Sequence, residues 1–174
     1  IDVSLVGSEM CIRDRPIVGP VNENYWAFGD SYNKGAWVLH TLRNAINNDN
    51  LWFSTLKKFA VDNAKSHVST ETFLNYILKA TGKNYQLVFY QYFYDHRPPT
   101  FEYYQEGQMF YYRWSNVISD FTMPVDIDLN GVEKRLEVSE KLSSINISEH
   151  SVIHIRDWES LIITKRNPDL KKLN

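Results

Sequence analysis

The amino-acid sequence predicts an α+β protein in two parts, an antiparallel helical bundle over residues 16–98 and a small β-sandwich over residues 99–174. Three observations predict this division. The apolar residues recur with a helical period before Arg97-Pro98-Pro99 and with a period close to two after it. The paired prolines end a helix and begin an extended segment. Asn130-Gly131, between two alternating segments, is the signal of a two-residue β-hairpin.

Composition and charge narrow the class of protein. The 174 residues suffice for one domain or two small ones, and a hydrophobic content of 43% with 14% aromatic residues favours a packed core over disorder. The net charge of -2 and the isoelectric point near 6.2 give no basic surface for nucleic acid. Since no apolar run approaches the roughly 20 residues that span a bilayer, we expect no transmembrane segment.

Four helices are predicted in the first part. The first begins at Asp30 or Ser31, either of which can cap it, and the second covers about 50–63. The third begins at Ser69-Thr70-Glu71 and ends at Gly82, and Asn84 can cap the fourth. The apolar stripe of the first helix comprises Val38, Leu39, Leu42, Ala45 and Ile46. The predicted buried side of the second comprises Trp52, Phe53, Leu56, Phe59 and Ala60, and the third carries Phe73, Leu74, Ile77 and Leu78.

Six strands are predicted in the second part. Their ranges are 100–106, 108–116, 121–129, 132–138, 152–156 and 159–165. Asn130-Gly131 joins the third to the fourth, since both positions of such a turn take a positive φ. Six or seven short strands are typical of a small β-sandwich.

The first fifteen residues are unrelated in character to the rest of the chain. Residues 1–15 resemble translated sequencing-adapter read-through, and we interpret them as an artefact and leave them out of the fold prediction. On this interpretation the chain is truncated at about Pro16, and its single cysteine, Cys11, is not native.

Several segments in fixed order carry a resemblance to a known family. Tyr32-Asn33-Lys34-Gly35-Ala36 opens the first helix, Thr70–Phe73 opens the third, and Thr81-Gly82-Lys83-Asn84 and Phe89–Tyr94 come after it. In their order and spacing over about 80 residues these segments resemble the gluzincin aminopeptidases, the M1 family of zinc metallopeptidases. Asn84 replaces an acidic capping residue, and Tyr92 stands where a tryptophan is common.

The resemblance implies a function for a larger protein. The helical bundle would be the C-terminal part of a thermolysin-like catalytic domain, with the β-sandwich directly after it. In the family, a His-Glu-x-x-His motif and a downstream Glu hold Zn²⁺, and both precede the tyrosine segment; neither occurs in this chain. The whole enzyme would remove N-terminal residues from peptides. This chain would lack the zinc-bearing N-terminal half as its partner and would be inactive alone, and its compartment stays open.

Tyr32 is the predicted catalytic residue, because in the family this hydroxyl donates a hydrogen bond to the oxyanion of the tetrahedral intermediate. Tyr25, Trp26 and Phe28 are weaker candidates for lining a substrate cleft, with core packing as their commoner use. We expect Lys34 to be a solvated or ion-paired structural residue.

Two further features complete the site prediction. Gly35, early in a helix, indicates a close approach to a neighbouring segment. His150 and His154 are four residues apart, and because Ser151–Ile155 is predicted to be extended they would lie about 13 Å apart, so we expect no metal site there.

The main alternative is a non-enzymatic binding or structural module, in which Tyr32 would only pack. Its contact surface would be formed by exposed tyrosines, which would include Tyr103, Tyr104, Tyr111 and Tyr112. The upstream sequence discriminates the two hypotheses, since a His-Glu-x-x-His motif with a later Glu decides for the enzyme.

Overall fold

The computed structural model describes residues 17–18 and 30–173, and over these ranges four α-helices precede seven strands. The helices are α1 (Asp30–Ile46), α2 (Asp49–Asp62), α3 (Thr70–Thr81) and α4 (Gln86–Phe93). The strands are β1 (Thr100–Glu106), β2 (Met109–Ser115), β3 (Val125–Leu129), β4 (Val132–Leu136), β5 (Ser143–Asn146), β6 (Ile153–Ile155) and β7 (Ile163–Arg166). Short 3-10 helices cover Asp157–Glu159 and Pro168–Leu173. The predicted α+β class is therefore confirmed. None of the described helices is long and apolar enough to cross a membrane.

Local capping signals set the helix ends. The side chain of Asn48 accepts a hydrogen bond from the Leu51 N–H at 3.0 Å and so starts α2. The predicted start of α3 at Ser69 is confirmed, and Ser69 and Thr72 form a reciprocal capping box there. Gly82 ends α3 in the left-handed conformation with φ +68°, which a residue without a Cβ adopts freely.

Two sheets, in which most strand pairs are antiparallel, form the second part. One sheet has the order β5-β2-β1-β7, with β1 and β7 parallel, and the other has the order β4-β3-β6. The predicted hairpin is confirmed, since Asn130 and Gly131 take φ values of 54° and 81° between β3 and β4.

Three strand predictions need correction. Strand β5 is not among the predicted strands. It has no clear alternating pattern of its own and is extended because it pairs with β2. The predicted strand 159–165 is displaced, because a 3-10 turn occupies Asp157–Glu159 and β7 begins only at Ile163. The predicted strand 121–129 is shorter, with β3 preceded only by an isolated bridge between Thr122 and Ser139.

The helices and strands share one hydrophobic core. Trp52, Ile77 and Phe89 from the helices belong to the same buried cluster as Trp114 and Ile127 from the two sheets. Because the core continues across Arg97-Pro98-Pro99, the change from helix to strand there does not by itself separate two domains, and the boundary between residues 98 and 99 stays a prediction.

Some predicted core residues lie at the surface. Phe53 on α2, Leu39 on α1 and Leu78 on α3 are 54%, 39% and 40% exposed, and Ala60 is also exposed. Helical periodicity assigns each of them to a buried stripe, but it gives the direction of an apolar face and not its width. On α2, Trp52 and Thr55 are buried instead of Phe53.

Candidate functional site

Helix α1 has one buried face and exposed apolar side chains outside it. One face is buried and holds Lys34, Val38, Thr41, Leu42 and Ala45. Elsewhere on the helix surface Tyr32, Trp37 and Leu39 are exposed, with Tyr32 and Leu39 close together around the helix axis and Trp37 on a different side. A surface helix normally directs polar residues outward, so the solvent side of α1 is more apolar than expected, as is that of α2, where Phe53 is exposed.

Tyr32 lies in the first turn of α1 with 73% of its surface exposed. At a helix start the first N–H groups have no partner within the helix and carry partial positive charge. The phenol is therefore accessible to a ligand, at a helix end whose dipole favours a developing negative charge.

A shallow depression of about 230 Å³ lies further along the same helix and is lined by Ala36, Trp37 and His40. The Trp37 and His40 rings meet edge to face with their centroids 5.7 Å apart. His40 is oriented by Asn44, whose Nδ2 lies 3.2 Å from His40 Nε2. Ala36 comes one turn after Tyr32, so the depression continues the exposed face on which the tyrosine lies.

Two expectations about the tyrosine segment are corrected. Lys34 is 3% exposed, so the expectation of a solvated residue is wrong, and the alternative of an ion-paired structural residue stays a prediction. A Cβ built on Gly35 meets no described atom within 4 Å, so the predicted close approach is not made by any residue in the described ranges. Tyr25, Trp26 and Phe28 lie outside the described residues.

The C-terminal half of α1 is joined to the strands by polar contacts. Thr41, fully buried, accepts a hydrogen bond from the Leu161 N–H at 2.9 Å. Tyr92 of α4 donates to the Leu161 carbonyl at 2.9 Å, so both backbone groups of Leu161 are satisfied by helical side chains. Asn44 donates to the Glu159 carbonyl at 2.5 Å. Burial of the phenol raises the pKa of Tyr92, which keeps it a donor at any physiological pH.

Arg135 of β4 makes further polar contacts between the end of α1 and the strands. Its Nη2 donates to the Asn44 and Ala45 carbonyls, each at 2.7 Å, and its Nη1 lies 3.1 Å from Asp126 Oδ2. Burial raises the pKa of Asp126, although the charge of Arg135 opposes that shift. Burial likewise raises the pKa of Glu159, against the charge of Arg156. Sequence reasoning missed Arg135, Asp126 and Asn44. The predicted hairpin places Asp126 opposite Arg135, but no local pattern identifies the contacts of Arg135 with Asn44 and Ala45, which lie about 90 residues away.

The described residues do not fit a zinc ion. No group of three or more His, Cys, Asp or Glu side chains in the described ranges could hold a metal. His150 is exposed in a turn, whereas His154 lies in β6 opposite Asp128.

The tyrosines expected to form a binding surface are less exposed than predicted. Tyr112 is 6% exposed and belongs to the core. Tyr103, Tyr104 and Tyr111 are half-buried, and the Arg166 guanidinium lies 5.5 Å from the centre of the Tyr104 ring. No large exposed tyrosine surface of the kind predicted for a binding module is formed by these four residues.

Comparison with known proteins gives a likeness of fold. No family model and no curated protein matches the chain. Among solved structures, the crystal structure of Legionella pneumophila aminopeptidase A in complex with aspartic acid is similar, with a TM-score of 0.77 and 16% sequence identity. The match covers 94% of this chain and 21% of that one, so the chain spans about a fifth of the length of the protein it matches. At this identity the likeness shows that the described part of this chain has the fold of one part of that aminopeptidase.

Proposed function

We propose that this chain is a C-terminal piece of an M1-type, zinc-dependent aminopeptidase, and that Tyr32 is its oxyanion-stabilising residue. The observation that carries the proposal is the position of Tyr32, exposed in the first turn of a helix, within a chain whose fold matches part of an aminopeptidase. On this proposal the helices are the end of a thermolysin-like catalytic domain and the strands form a β-sandwich domain.

The role of Tyr32 follows from its chemistry. Hydrolysis of a peptide bond passes through a tetrahedral intermediate whose oxygen gains a negative charge, and a phenol can donate one strong hydrogen bond to it. The free N–H groups at the start of α1 favour that charge. Loss of one such donor costs on the order of 3 kcal/mol in the activation barrier.

The exposed apolar side chains of α1 support the larger assembly. Tyr32 and Leu39 leave apolar surface uncovered on one side of the helix, and Trp37 does so on another. We propose that the zinc-bearing N-terminal half of the enzyme faces this surface, with the peptide substrate between them. Tyr25, Trp26 and Phe28, just ahead of Tyr32 in the sequence, are candidates for the wall of that cleft.

The zinc ion of the proposed enzyme would supply an activated water and polarise the scissile carbonyl. Its ligands would lie outside the residues described, and the part played by this chain is confined to hydrogen bonding, positioning and exclusion of water. The isolated chain is therefore expected to be inactive.

The experiment is an assay of the proposed longer protein on aminoacyl chromogenic substrates, with and without a zinc chelator. We expect hydrolysis that the chelator abolishes and added Zn²⁺ restores, together with an upstream His-Glu-x-x-His motif. Absence of hydrolysis on a panel of acidic, basic and apolar aminoacyl substrates would refute the proposal and favour the binding module.

A further inference from the structure

Arg135 occupies a position from which it can fix the end of α1. The carbonyls of Asn44 and Ala45 are among the last four of the helix and have no N–H partner within it. Arg135 donates to both at 2.7 Å, and its positive charge lies at the negative end of the helix dipole. The guanidinium is thus held by three acceptors, two on the helix and one on Asp126.

Asp126 fixes the guanidinium itself. Asp126 and Arg135 are directly opposite each other in the antiparallel pairing of β3 and β4, and the side chain of Asp126 is only 9% exposed. A cross-strand pair on a sheet has little freedom to move, since both backbones are hydrogen-bonded in register. The second sheet therefore provides a rigid support to which the end of α1 is bound.

The distance between this support and Tyr32 is long. Twelve residues separate Tyr32 from Asn44, which is about 18 Å along the helix axis. A tilt of about 5° at the bound end would move the start of the helix by about 1.6 Å over that length. Since a misplacement of about 1 Å can cost on the order of a hundredfold in rate, a tilt of this size at the far end would affect a reaction at Tyr32.

We infer that Arg135, held by Asp126, is a positioning residue that sets the placement of Tyr32 through α1. The inference rests on the proposed function of Tyr32. It assigns to the β-rich part a role in the chemistry, because the strands then determine where the helix carries its phenol.

The test is a double-mutant cycle in the longer enzyme with Tyr32→Phe and Arg135→Met. We expect Arg135→Met to lower kcat by about tenfold or more with KM changed by less than about twofold. In the Tyr32→Phe background the same substitution should lower kcat by less than about twofold, because no hydroxyl is left to misplace. Additive losses, an effect confined to KM, or no effect of Arg135→Met would overturn the inference.

A matched control separates positioning from loss of an ion pair. Arg113 is 30% exposed and pairs with the 6% exposed Glu102 at 2.8 Å, much as Arg135, 25% exposed, pairs with Asp126. Arg113 lies on the other sheet and has no hydrogen bond or ion pair with α1 in the described residues. Arg113→Met alone should therefore keep kcat within about twofold of wild type, and the loss of kcat caused by Tyr32→Phe should be the same within about twofold with or without it. If Arg135→Met does not fold, Arg135→Lys replaces it in the same cycle, since an ammonium cannot reproduce the planar fork.

Hydrogen exchange decides the inference independently of activity. In the 174-residue chain, Arg135→Met should raise amide exchange over residues 34–38 at least tenfold more than over β1, whereas Arg113→Met should not. Equal acceleration in helix and strand would show a purely structural role and overturn the inference. If Tyr32→Phe leaves kcat unchanged, the proposed function fails, and the exchange result alone then decides whether Arg135 positions the helix.

Discussion

Replacement of Thr41 by valine tests how much the hydrogen bond between helix α1 and Leu161 contributes to the free energy of unfolding. Thr41 is fully buried, and its hydroxyl accepts the hydrogen bond of the Leu161 N–H at 2.9 Å. Valine has nearly the same shape, so the substitution opens no cavity but leaves a buried N–H without an acceptor. An unpaired buried donor costs about 1–3 kcal/mol, and we expect Thr41→Val to lower the free energy of unfolding by that amount.

Thr55 provides the matched control. It is 6% exposed, and its hydroxyl donates to the Leu51 carbonyl within the same helix, where no backbone donor depends on it. Thr55→Val should therefore change stability by less than about 0.5 kcal/mol.

The assay is urea unfolding monitored by circular dichroism. With a slope of about 2 kcal/mol per molar urea, the predicted loss for Thr41→Val moves the midpoint by about 0.5–1.5 M at an unchanged slope. Equal midpoints for Thr41→Val and Thr55→Val would refute the claim that the Leu161 N–H is held by Thr41.

Further predictions concern the turns, pH and association. Gly131 takes φ +81°, so Gly131→Ala should lower the free energy of unfolding by about 1 kcal/mol. Gly35→Ala in α1 should raise it by about 0.5–1 kcal/mol, because a Cβ there meets no described atom. Urea midpoints measure both, and a Gly131→Ala variant as stable as wild type contradicts the turn assignment. Burial raises the pKa of Asp126 in the folded state, so the folded protein holds that proton more tightly than the unfolded chain. Its contribution to stability is complete below the ordinary carboxylate pKa of about 3.9 and is lost as pH rises through the raised pKa. The stability of Asp126→Asn relative to wild type should therefore increase over the interval that begins at about pH 4 and ends above the raised pKa. A relative stability that falls over this interval would contradict that sign. Tyr90 and Tyr94 lie in ring contact and are 40% and 52% exposed on and just after α4, so the isolated chain should self-associate and Tyr90→Glu should reduce this. Light scattering after size exclusion measures it, and a monodisperse wild-type monomer is the contrary result.

Local signals in the sequence predict the features that one or two residues determine. The capping serine of α3, its terminating glycine and the Asn130-Gly131 turn each depend on the conformational preference of such residues. The change from helix to strand near Pro98 is predicted by a change of period together with two prolines.

Features that depend on distant partners escape prediction. Strand β5 has the short sequence Ser143–Asn146, without strong alternation, and is extended because it pairs with β2. Periodicity places Phe53 in the core because it locates an apolar stripe and not the neighbour that covers it. Likewise, the contacts of Arg135 with the end of α1 depend on a sheet formed about 90 residues later.

The candidate site shows the same division. The tyrosine segment is recognisable as a short motif, and the apolar period predicts its helix. The burial of Lys34 and the exposure of Tyr32, Trp37 and Leu39 are visible only in the packing of α1 against Leu161 and the core.

The central claim is that the Tyr32 hydroxyl stabilises the oxyanion of a peptidase reaction. The most direct measurement is kcat/KM of the longer enzyme for Tyr32→Phe compared with wild type, with Tyr94→Phe as the control, since Tyr94 is also an exposed tyrosine of the helical part. The account predicts a loss of about a hundredfold or more for Tyr32→Phe and a change of less than about twofold for Tyr94→Phe. Chelator-sensitive activity that Tyr32→Phe leaves within about threefold of wild type would contradict the claim.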